Sequence, residues 1–360
     1  MEDIWKKVLV ISKSIEDPSA YYRLLQYFNG RSNVHCAQLF SRKQYRSYYD
    51  GKESLAAKAF WGIQTWMKIV LILLWDVLYY HAELIIINRK IVPRYCPKLA
   101  AELLKKYMSD KFIVWDFDDN IFENGEISSA EAAIYREIAD RVVVTNDYLK
   151  NLLCSDLQKK TMLLPTTDRV FENIVLSDWN SIRKKLFPVY INLLWTGTKG
   201  NLCYLDDIVS QLDRAAQDLG SRTITLYIVS NMHYERQTEH LRIKNVRWSR
   251  ERLLRLMPCM HIGLMPLREN AFTKGKGAFK AVQYIGAGLP VIASPVGFNC
   301  SVVRDGENGL LTELEWGECM KQLVRSYHEW EKYSLNARSS WEEDFHSKRN
   351  LEFWERMIHA

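Results

Sequence analysis

The chain has 360 residues, of which 48% are hydrophobic and 26% are charged, and its formal net charge is +6. This balance excludes a disordered chain and a bundle of membrane helices, and the length favours two domains. Seven cysteines are scattered without a C-x-x-C pair, and no long apolar segment opens the chain. We therefore expect a cytoplasmic protein with reduced thiols and no zinc site or cofactor.

Short apolar segments recur through the first half of the chain and predict buried parallel strands. The first is followed by a turn at Asp17-Pro18-Ser19 and a helix through Tyr22 to Phe28. The predicted strands are Lys7 to Ser12, Leu84 to Asn88, Phe112 to Trp115 and Arg141 to Thr145. This alternation of strands with helices and loops predicts an α/β doubly wound parallel sheet.

An apolar and aromatic segment, residues 59–80, lies near basic residues that extend from Arg23 to Lys68. Lys68 and Asp76 interrupt it, so it falls short of the roughly 18 to 20 apolar residues that a spanning helix needs. Two interpretations stay open. The segment is either a core helix or a helix in the plane of a membrane surface, with its tryptophans among the headgroups.

Three carboxylates, Asp116, Asp118 and Asp119, follow the strand that begins at Phe112. At the carboxyl end of a parallel strand they can face a ligand, bind a cation or cap the next helix. Asp-x-Asp after an apolar strand also resembles the nucleophile motif of haloacid dehalogenase phosphatases. That motif has Thr or Val where Asn120 stands here.

A second series of predicted strands starts after Arg169 to Pro188, which we interpret as a linker. The strands are Tyr190 to Trp195, Thr223 to Val229, Val246 to Trp248, Ile262 to Met265 and Val291 to Ala293. The first ends in Gly197-Thr198-Lys199-Gly200. This segment is either a tight strand-to-helix turn or a glycine turn under an anion.

The most informative segment begins with Lys274-Gly275-Lys276-Gly277, continues as a predicted short helix and ends at Gly288 to Pro290. Glycines and a helix N-terminus let backbone N–H groups approach an anion, and lysines add full charges. Lys280 and Gln283 are three residues apart and lie on one helix face. The segment predicts a diphosphate site; the alternative is an ordinary helix N-terminus with solvated lysines.

The residues from Lys274 to Leu311 resemble the nucleotide-sugar segment of family 4 glycosyltransferases (glycosyl transferases group 1). The similarity includes Gly286-Ala287-Gly288-Leu289-Pro290-Val291, the turn Ser294-Pro295-Val296-Gly297 and the run from Val303 to Leu311. Family members place two glutamates eight positions apart, the first reaching sugar hydroxyls and the second the ribose. Gly275 and Gln283 occupy those positions here.

The resemblance implies the GT-B fold, in which two Rossmann-like domains face each other across a cleft. It divides the chain into an acceptor-binding domain (1–180), a nucleotide-sugar domain (181–340) and a last helix that crosses back to the first domain (341–360). It implies a retaining, metal-independent transfer of a sugar from a nucleoside diphosphate sugar to a saccharide or lipid-linked saccharide, in assembly of a surface polysaccharide or glycolipid. A catalytically inactive donor-binding or partner protein and a magnesium-dependent phosphatase are the alternatives.

The same resemblance assigns candidate roles. Asp118, then Asp119, then Asp116 would orient the acceptor or act as base, and Arg23 would bind a phosphate of donor or acceptor. The candidate donor residues are Gly197, Lys199, Trp248, Lys276, Gly277, Phe279, Lys280 and Gln283. The expected location is the cytoplasm, with possible peripheral contact at the membrane through residues 59–80.

Overall fold

A computed structural model describes residues 6–49, 54–93, 97–123 and 125–359. Lys52, one of the basic residues between Arg23 and Lys68, and Cys96 lie outside these ranges. The chain forms two compact units. The first comprises Met1–Thr166, Gly275–Gly277 and Lys348–Ala360, and the second comprises Thr167–Lys274 and Ala278–Ser347.

Each unit contains one six-stranded sheet, and every strand pair in both sheets is parallel. The strands of the first unit are β1 (Val8–Ser12), β2 (Val34–Gln38), β3 (Leu84–Asn88), β4 (Phe112–Phe117), β5 (Arg141–Val144) and β6 (Thr161–Leu163). Those of the second are β7 (Tyr190–Gly197), β8 (Thr223–Ser230), β9 (Arg242–Arg247), β10 (Ile262–Met265), β11 (Val291–Ala293) and β12 (Gly309–Leu311).

The helices cover both faces of the sheets. In chain order they are α1 (Pro18–Ala20), α2 (Gln26–Phe28), α3 (Arg42–Tyr49), α4 (Leu55–Trp75), α5 (Lys98–Met108), α6 (Ser129–Ile138), α7 (Asp147–Asn151), α8 (Ser155–Lys159), α9 (Leu176–Leu186), α10 (Val209–Asp218), α11 (Arg250–Leu256), α12 (Ala271–Lys274), α13 (Phe279–Gly286), α14 (Asn299–Val302), α15 (Trp316–Leu323), α16 (Tyr327–Ser340) and α17 (Ser347–His359). Single π-helical turns span Tyr21–Leu25, Asp76–Tyr80 and Trp341–Phe345, and 3-10 turns span Arg169–Asn173, Lys199–Tyr204 and Met257–Cys259.

The order of the strands indicates where each sheet is suited to bind a ligand. The first sheet runs β2-β1-β3-β4-β5-β6, and the second runs β12-β11-β10-β7-β8-β9. The order reverses between β1 and β3 in the first sheet and between β7 and β10 in the second. Open α/β sheets bind ligands beyond the carboxyl ends of the strands at such reversals. The polar residues after β3 and those after β7 and β10 therefore stand where this topology favours binding.

Alternating side chains of each strand enter two cores. In β1, Leu9 and Ile11 pack in one hydrophobic cluster, while Val8 and Val10 pack in another on the opposite face. The same alternation holds in the second sheet, where Leu193 and Leu194 of β7 enter separate clusters. This burial on both faces is what a doubly wound sheet requires, and it explains the near-continuous apolar strands.

One segment differs from the sequence-based picture, and another can be described in more detail. The interval predicted as a linker contains α9, whose Arg183 is fully buried and donates to the carbonyl oxygens of Met257 and Ala287. At the other end of the chain, α17 packs in the first unit. There Trp354 is fully buried and donates to the carbonyl oxygen of Arg23.

Residues 59–80 form a helix long and apolar enough to cross a membrane, by length and composition alone. Only 17% of its most apolar 18-residue stretch is buried within the protein. The expectation that this segment falls short of a spanning helix is therefore wrong by length and composition. Of the two interpretations left open, a core helix does not describe it, because few of its residues are buried. Its inner face packs on the first sheet, with Ile69 buried among the side chains of the core.

Candidate functional site

A fully buried ion pair occupies the carboxyl end of β4. Arg23 binds Asp116 with an Nη2–Oδ1 distance of 2.6 Å, and neither side chain is exposed. Arg23 also donates to the carbonyl oxygen of Leu164 and to the hydroxyl of Thr166, both at 3.0 Å. Burial would lower the pKa of Arg23, but Asp116 outweighs it and raises that pKa. This arrangement favours a structural role for the predicted residues Arg23 and Asp116.

The other two carboxylates of the cluster share a second arginine. Arg89 Nη2 lies 2.7 Å from Asp118 Oδ1 and 2.7 Å from Asp119 Oδ2. Arg89 follows β3 with a φ of +59°, a left-handed conformation that non-glycine residues rarely adopt and that clusters at functional sites. Ser19 Oγ donates to Asp118 Oδ1 at 2.6 Å. Asp118 and Asp119 are thus held in place, at the sheet edge that the topology favours.

The charge state of Asp118 follows from these contacts. Burial would raise its pKa, but Arg89 and Arg23 outweigh burial and hold the pKa below its ordinary value. Asp118 is therefore a carboxylate at neutral pH. It is suited to accept a hydrogen bond from a hydroxyl and is a weak base in the absence of a change in its surroundings.

The phosphatase interpretation needs carboxylates that can hold a cation. Here Asp116 and Asp118 already face Arg23 and Arg89. Within the described ranges, no group of three or more His, Cys, Asp or Glu side chains has an arrangement suited to a metal ion. The donor set around these aspartates is therefore one of ion pairs with arginine, not one of ligands arranged about a metal.

The tip of the glycine-lysine loop, Gly275–Gly277, packs within the first unit. Asn146 Nδ2 lies 3.4 Å from the carbonyl oxygen of Gly275 and 3.3 Å from that of Lys276. A Cβ at position 275 would stand 2.8 Å from the Cβ of Asn120. The family's glutamate cannot enter at Gly275 unless the neighbouring chain moves, so the departure has a local steric reason.

Lys276 lies between the two glycines of this tip and is half-buried. Burial lowers its pKa, and Asp119 opposes that change. A Cβ at Gly277 would stand 3.0 Å from Thr145 Cγ2, so a side chain there would be crowded. The loop tip thus holds one lysine close to the carboxylates that follow β4.

In the second unit, the end of β7 and the start of α13 meet at Trp195. The Lys280 ammonium lies over the Trp195 ring, 5.7 Å from its centroid. A Cβ at Gly197 would stand 2.4 Å from the same ring. Tyr284, one turn further along α13, accepts from the backbone N–H of Thr196 at 3.0 Å. The predicted donor residues Gly197 and Lys280 are therefore neighbours, and glycine is required at 197 by the indole.

Helix α13 begins without a side-chain cap. Its N-cap residue Ala278 is left-handed, with a φ of +48°, and makes no side-chain capping hydrogen bond. Phe279 opens the helix and is half-buried. The first N–H groups of a helix have no partner within it and carry partial positive charge, so this end of α13 favours an anion. Lys280 adds a full charge to it.

Gln283 is buried on the same face of α13 as Lys280, and its Nε2 donates to Asp168 Oδ2 at 3.2 Å. Because a carboxylate only accepts, this contact fixes the amide: Nε2 faces Asp168, and Oε1 faces the other way. Arg250 Nη2 lies 2.8 Å from Asp168 Oδ1. Arg250 opens α11 two residues after the predicted base contact, Trp248, which is 36% exposed.

The sequence did not predict a role for Asp168 or Arg250. Asp168 is fully buried, yet it precedes a 3-10 turn in an interval that reads as polar linker. It accepts hydrogen bonds from Arg250 and Gln283, which lie 82 and 115 positions away in the chain. No local pattern signals that connection. The only hint was the Gln at position 283, where the resemblance leads one to expect a carboxylate.

The remaining predicted donor residue, Lys199, starts the 3-10 turn after β7. Its backbone N–H donates to Asn231 Oδ1 at 3.0 Å, and the residue is exposed. Below the lysine loop, Gly297 has a φ of +55°, and a Cβ there would stand 2.7 Å from the carbonyl oxygen of Lys274. The glycine turn of the motif therefore supports the loop by close backbone approach.

The second unit offers the cationic side chain of Lys280, the start of α13 and the glycine turn at Gly197. The same helix carries the buried amide of Gln283, whose orientation is set by Asp168. Such a set suits a diphosphate that carries a hydroxylated group. Two doubly wound units of parallel strands, with this set beyond the carboxyl ends of β7 and β10, define an α/β protein of the GT-B class.

Residues 190–327 match the family model described as Glycosyl transferases group 1. The resemblance predicted from the sequence is thus confirmed over this segment, which is similar to the glycosyl transferases group 1 family. No curated protein matches the sequence.

Solved structures support the fold over the whole chain. HepE from Anabaena, determined in complex with UDP, is 12% identical and has a TM-score of 0.66, with 98% of this chain and 100% of that chain covered. Sucrose-phosphate synthase from Thermosynechococcus elongatus is 15% identical, with a TM-score of 0.62 and 97% of each chain covered. A glycosyltransferase from Rickettsia africae is 12% identical, with a TM-score of 0.61 and 98% of each chain covered.

Proposed function

We propose that the protein is a retaining glycosyltransferase that moves a hexosyl group from a nucleoside diphosphate sugar to a hydroxyl acceptor without a metal ion. The observation that carries the proposal is the meeting of Gly197 and Lys280 at the Trp195 ring, at the start of α13, with Gln283 three residues further along that helix. The match of residues 190–327 to the glycosyl transferases group 1 model supports it. HepE, which shares the fold, was determined with UDP and with UDP-glucose, which favours a uridine donor.

In this proposal the departing diphosphate collects negative charge in the transition state. Lys280 and the N–H groups at the start of α13 stabilise that charge, with Lys199 and Lys276 as further cations. Each contact of this kind contributes roughly 2 to 4 kcal/mol. Gly197 brings no side chain to the turn after β7, so the backbone there can approach the phosphates closely. The Trp195 ring independently requires glycine at this position.

Asp168 acts as a positioning residue for the donor. By accepting from Gln283 Nε2, it turns Gln283 Oε1 away from itself, where the oxygen can accept a hydrogen bond from a ribose hydroxyl. A glutamate at 283 would instead place two carboxylates within hydrogen-bond distance. The buried aspartate therefore accounts for the neutral residue at a position where the family carries a charge.

Asp118 is the first candidate for the acceptor side, with Asp119 second. Its depressed pKa keeps it ionised, so it would orient the acceptor hydroxyl by accepting its hydrogen bond. Asp116 and Arg23 would support this site from beneath as a buried pair. The acceptor we propose is a saccharide or a lipid-linked saccharide in assembly of a surface polysaccharide or glycolipid, handled by a cytoplasmic protein.

The test is calorimetric titration of the purified protein with UDP, GDP and ADP in the presence of EDTA. We expect one nucleotide to bind, and binding to weaken in Lys280→Ala and in Gln283→Ala. Lys321→Ala, in a surface ion pair of the same unit, is the matched control and should bind as the wild type does. A folded protein that binds none of the three nucleotides would rule out the proposed donor site.

A second candidate function is a donor-binding protein without transferase activity. The observation in its favour is Gly275, which brings no side chain to the place where family members carry a glutamate. Release of UDP from UDP-glucose, measured with a mixture of saccharide acceptors and with lipid-linked saccharide, separates the two functions. Binding without turnover across these acceptors would favour the inactive protein.

A further inference from the structure

From Ala59 onwards, the exposed face of α4 and of the π-helical turn that follows it is apolar. Between Ala59 and Tyr80, every exposed residue is apolar or aromatic. The large side chains among them are between 50% and 72% exposed. They form what we call the apolar stripe: Phe60, Ile63, Met67, Val70, Leu71, Leu74, Val77, Leu78 and Tyr79.

The stripe is continuous along the helix. From Phe60 to Leu74 its members recur at intervals of three and four residues, so they lie on one side of α4, and Val77, Leu78 and Tyr79 continue it into the π-helical turn. Twenty-two residues rise by roughly 33 Å. A soluble monomer rarely exposes a contiguous apolar patch of this extent without an interaction that covers it.

The opposite face of the helix fastens it to the first unit. Ile69 is buried in the core, and Trp66, Ile72 and Leu73 pack against it. At the carboxyl end, Asp76 is fully buried, accepts from the N–H of Ala82 at 2.8 Å and pairs with Lys111 at 3.0 Å. If the helix crossed a bilayer, these contacts would be broken and the core side chains under α4 would lose the helix that covers them. The helix is therefore placed to lie on a surface.

Basic side chains flank the stripe on both neighbouring helices. Helix α3 carries Arg42, Lys43 and Arg46 with no acidic residue, and Gln44 Nε2 donates to Gln64 Oε1 of α4 at 2.6 Å. Helix α5 carries Lys98, Lys105 and Lys106 against the single acidic residue Glu102. Tyr107 OH of α5 donates to Asp76 Oδ2 at 2.6 Å, which ties α5 to the end of the long helix.

Helix α5 also extends the apolar surface. Its Leu99 and Leu103, one turn apart, are 68% and 60% exposed. Helices α4 and α5 bury their inner faces in the same cluster, on the same side of the first sheet. Their outer faces therefore point away from that side together, and they present apolar residues framed by basic ones.

We propose that the apolar stripe docks in the plane of an anionic lipid bilayer. An interfacial helix buries an apolar face among the acyl chains and headgroups, and flanking Lys and Arg side chains bind anionic lipid. A second copy of the chain fits less well, because pairing through the stripe would bring together the basic side chains of α3 and α5 from both copies, and like charges brought together at an interface are unfavourable.

This inference goes beyond the proposed function and does not depend on the donor site. It specifies where the protein meets its acceptor: an acceptor anchored in lipid would be presented at the surface on which α4 rests. Docking would also leave the nucleotide-sugar site in the second unit as it is, so the two properties can be tested separately in the same variants.

The experiment is co-sedimentation of the full chain with vesicles of phosphatidylcholine alone and of phosphatidylcholine mixed with phosphatidylglycerol. We expect binding to the anionic vesicles. The variant Ile63→Gln/Leu71→Gln/Leu78→Gln should lower the partition coefficient by about a hundredfold or more, because it removes three apolar anchors. All three positions are more than 60% exposed, so the fold should tolerate the change.

Two further variants sharpen the result. Leu314→Gln/Leu335→Gln changes two exposed leucines of the second unit and should bind vesicles as the wild type does. Lys43→Gln/Lys98→Gln/Lys106→Gln should weaken binding to the anionic vesicles by about tenfold or more and should leave the weaker binding to neutral vesicles unchanged. Calorimetry with UDP and a thermal melt check that each variant is folded.

Three outcomes would overturn the proposal. The wild type could fail to bind either kind of vesicle, or the triple-glutamine variant could bind as well as the wild type. Alternatively, light scattering could show a lipid-free dimer that the triple-glutamine variant abolishes, which would assign the stripe to a second copy of the chain.

Discussion

The carboxyl ends of the two sheets carry charge in different ways. At the carboxyl end of β4, the carboxylates of Asp116 and Asp118 are matched by Arg23 and Arg89 of the same unit. After β7, a lysine lies over an aromatic ring, and a neutral amide is held by a buried aspartate. The first arrangement pairs its carboxylates with arginines, whereas the second combines a lysine, a helix start and a neutral amide, which is the set that the proposed donor site uses. Both groups of residues lie at the carboxyl end of a sheet. The partner of a charged residue, more than its position on the sheet, therefore indicates whether it stabilises the fold or binds a ligand.

Arg23→Leu should have the largest effect on this comparison. It leaves Asp116 buried without its cation, and breaking a buried pair from one side costs about 3 to 5 kcal/mol. We expect the free energy of unfolding in urea to fall by that amount. Arg46→Ala, which removes a pair with Glu16 at an exposed arginine, should change it little.

The double variant Arg23→Leu/Asp116→Leu tests the same pair differently. Because it removes both charges, it should recover most of the lost stability. A single variant as stable as the wild type would mean that the first unit does not depend on its internal ion pairs, and the contrast between the two sheets would fail.

Lys280→Ala should have the next largest effect, and on activity instead of stability. The loss of about 2 to 4 kcal/mol of transition-state stabilisation lowers kcat/KM by about a hundredfold or more. The unfolding free energy should change little, because Lys280 is only half-buried. Kinetics of UDP release and urea unfolding on the same sample separate the two. A variant that is destabilised but fully active would assign Lys280 to support, like Arg23.

The sequence predicts most of the fold, because buried strands leave a clear apolar pattern. The structure places β3, β10 and β11 at the predicted residues. It adds β2, β6 and β12, which were missed. Strand β2 is half-exposed at the edge of its sheet, and the other two have three residues each, too few to show a period.

The candidate site was harder to predict, since its partners are remote in the chain. Lys280 and Gln283 could be placed on one face from their spacing alone. Arg23 lies 93 residues from Asp116, and Asp168 lies 115 residues from Gln283. No local pattern shows that an arginine will neutralise one carboxylate or that an aspartate will orient an amide.

The Asp168–Gln283 contact can be examined by a double-mutant cycle. Gln283→Glu brings a carboxylate to within hydrogen-bond distance of Asp168, and like charges at that separation destabilise each other. We expect binding of UDP to weaken by about tenfold or more. Gln283→Glu/Asp168→Asn exchanges the two groups and should bind within a few-fold of the wild type.

The single variant Asp168→Asn completes that cycle. Its amide can donate as well as accept, so it no longer fixes the orientation of Gln283, and it should weaken binding less than Gln283→Glu does. Equal binding by all four proteins would show that Gln283 does not contact the nucleotide, although the lysine contacts could still stand.

The smallest effect at neutral pH is expected at the other end of the second sheet, where a buried histidine gives a dependence on pH that grows below about 6.5. His261 Nδ1 accepts from the backbone N–H of Asn192 at 3.0 Å, and Nε2 lies 3.2 Å from the carbonyl oxygen of Arg183. The ring is therefore neutral, with its proton on Nε2, because a second proton on Nδ1 would face the N–H of Asn192. Burial lowers the pKa of His261 to about 3.

Unfolding returns this histidine to its ordinary pKa of about 6.5, so between that value and the folded one the unfolded chain binds one more proton. Stability should therefore fall as the pH drops from about 6.5, by about 1.4 kcal/mol per pH unit from this group. In His261→Gln this slope should disappear, while UDP binding at neutral pH stays unchanged because the residue lies at the amino end of the strands. Urea unfolding at a series of pH values measures the slope. If it were the same in both proteins, the histidine would titrate alike in the folded and unfolded states, and the amino end of the second sheet would be more open to water than its contacts indicate.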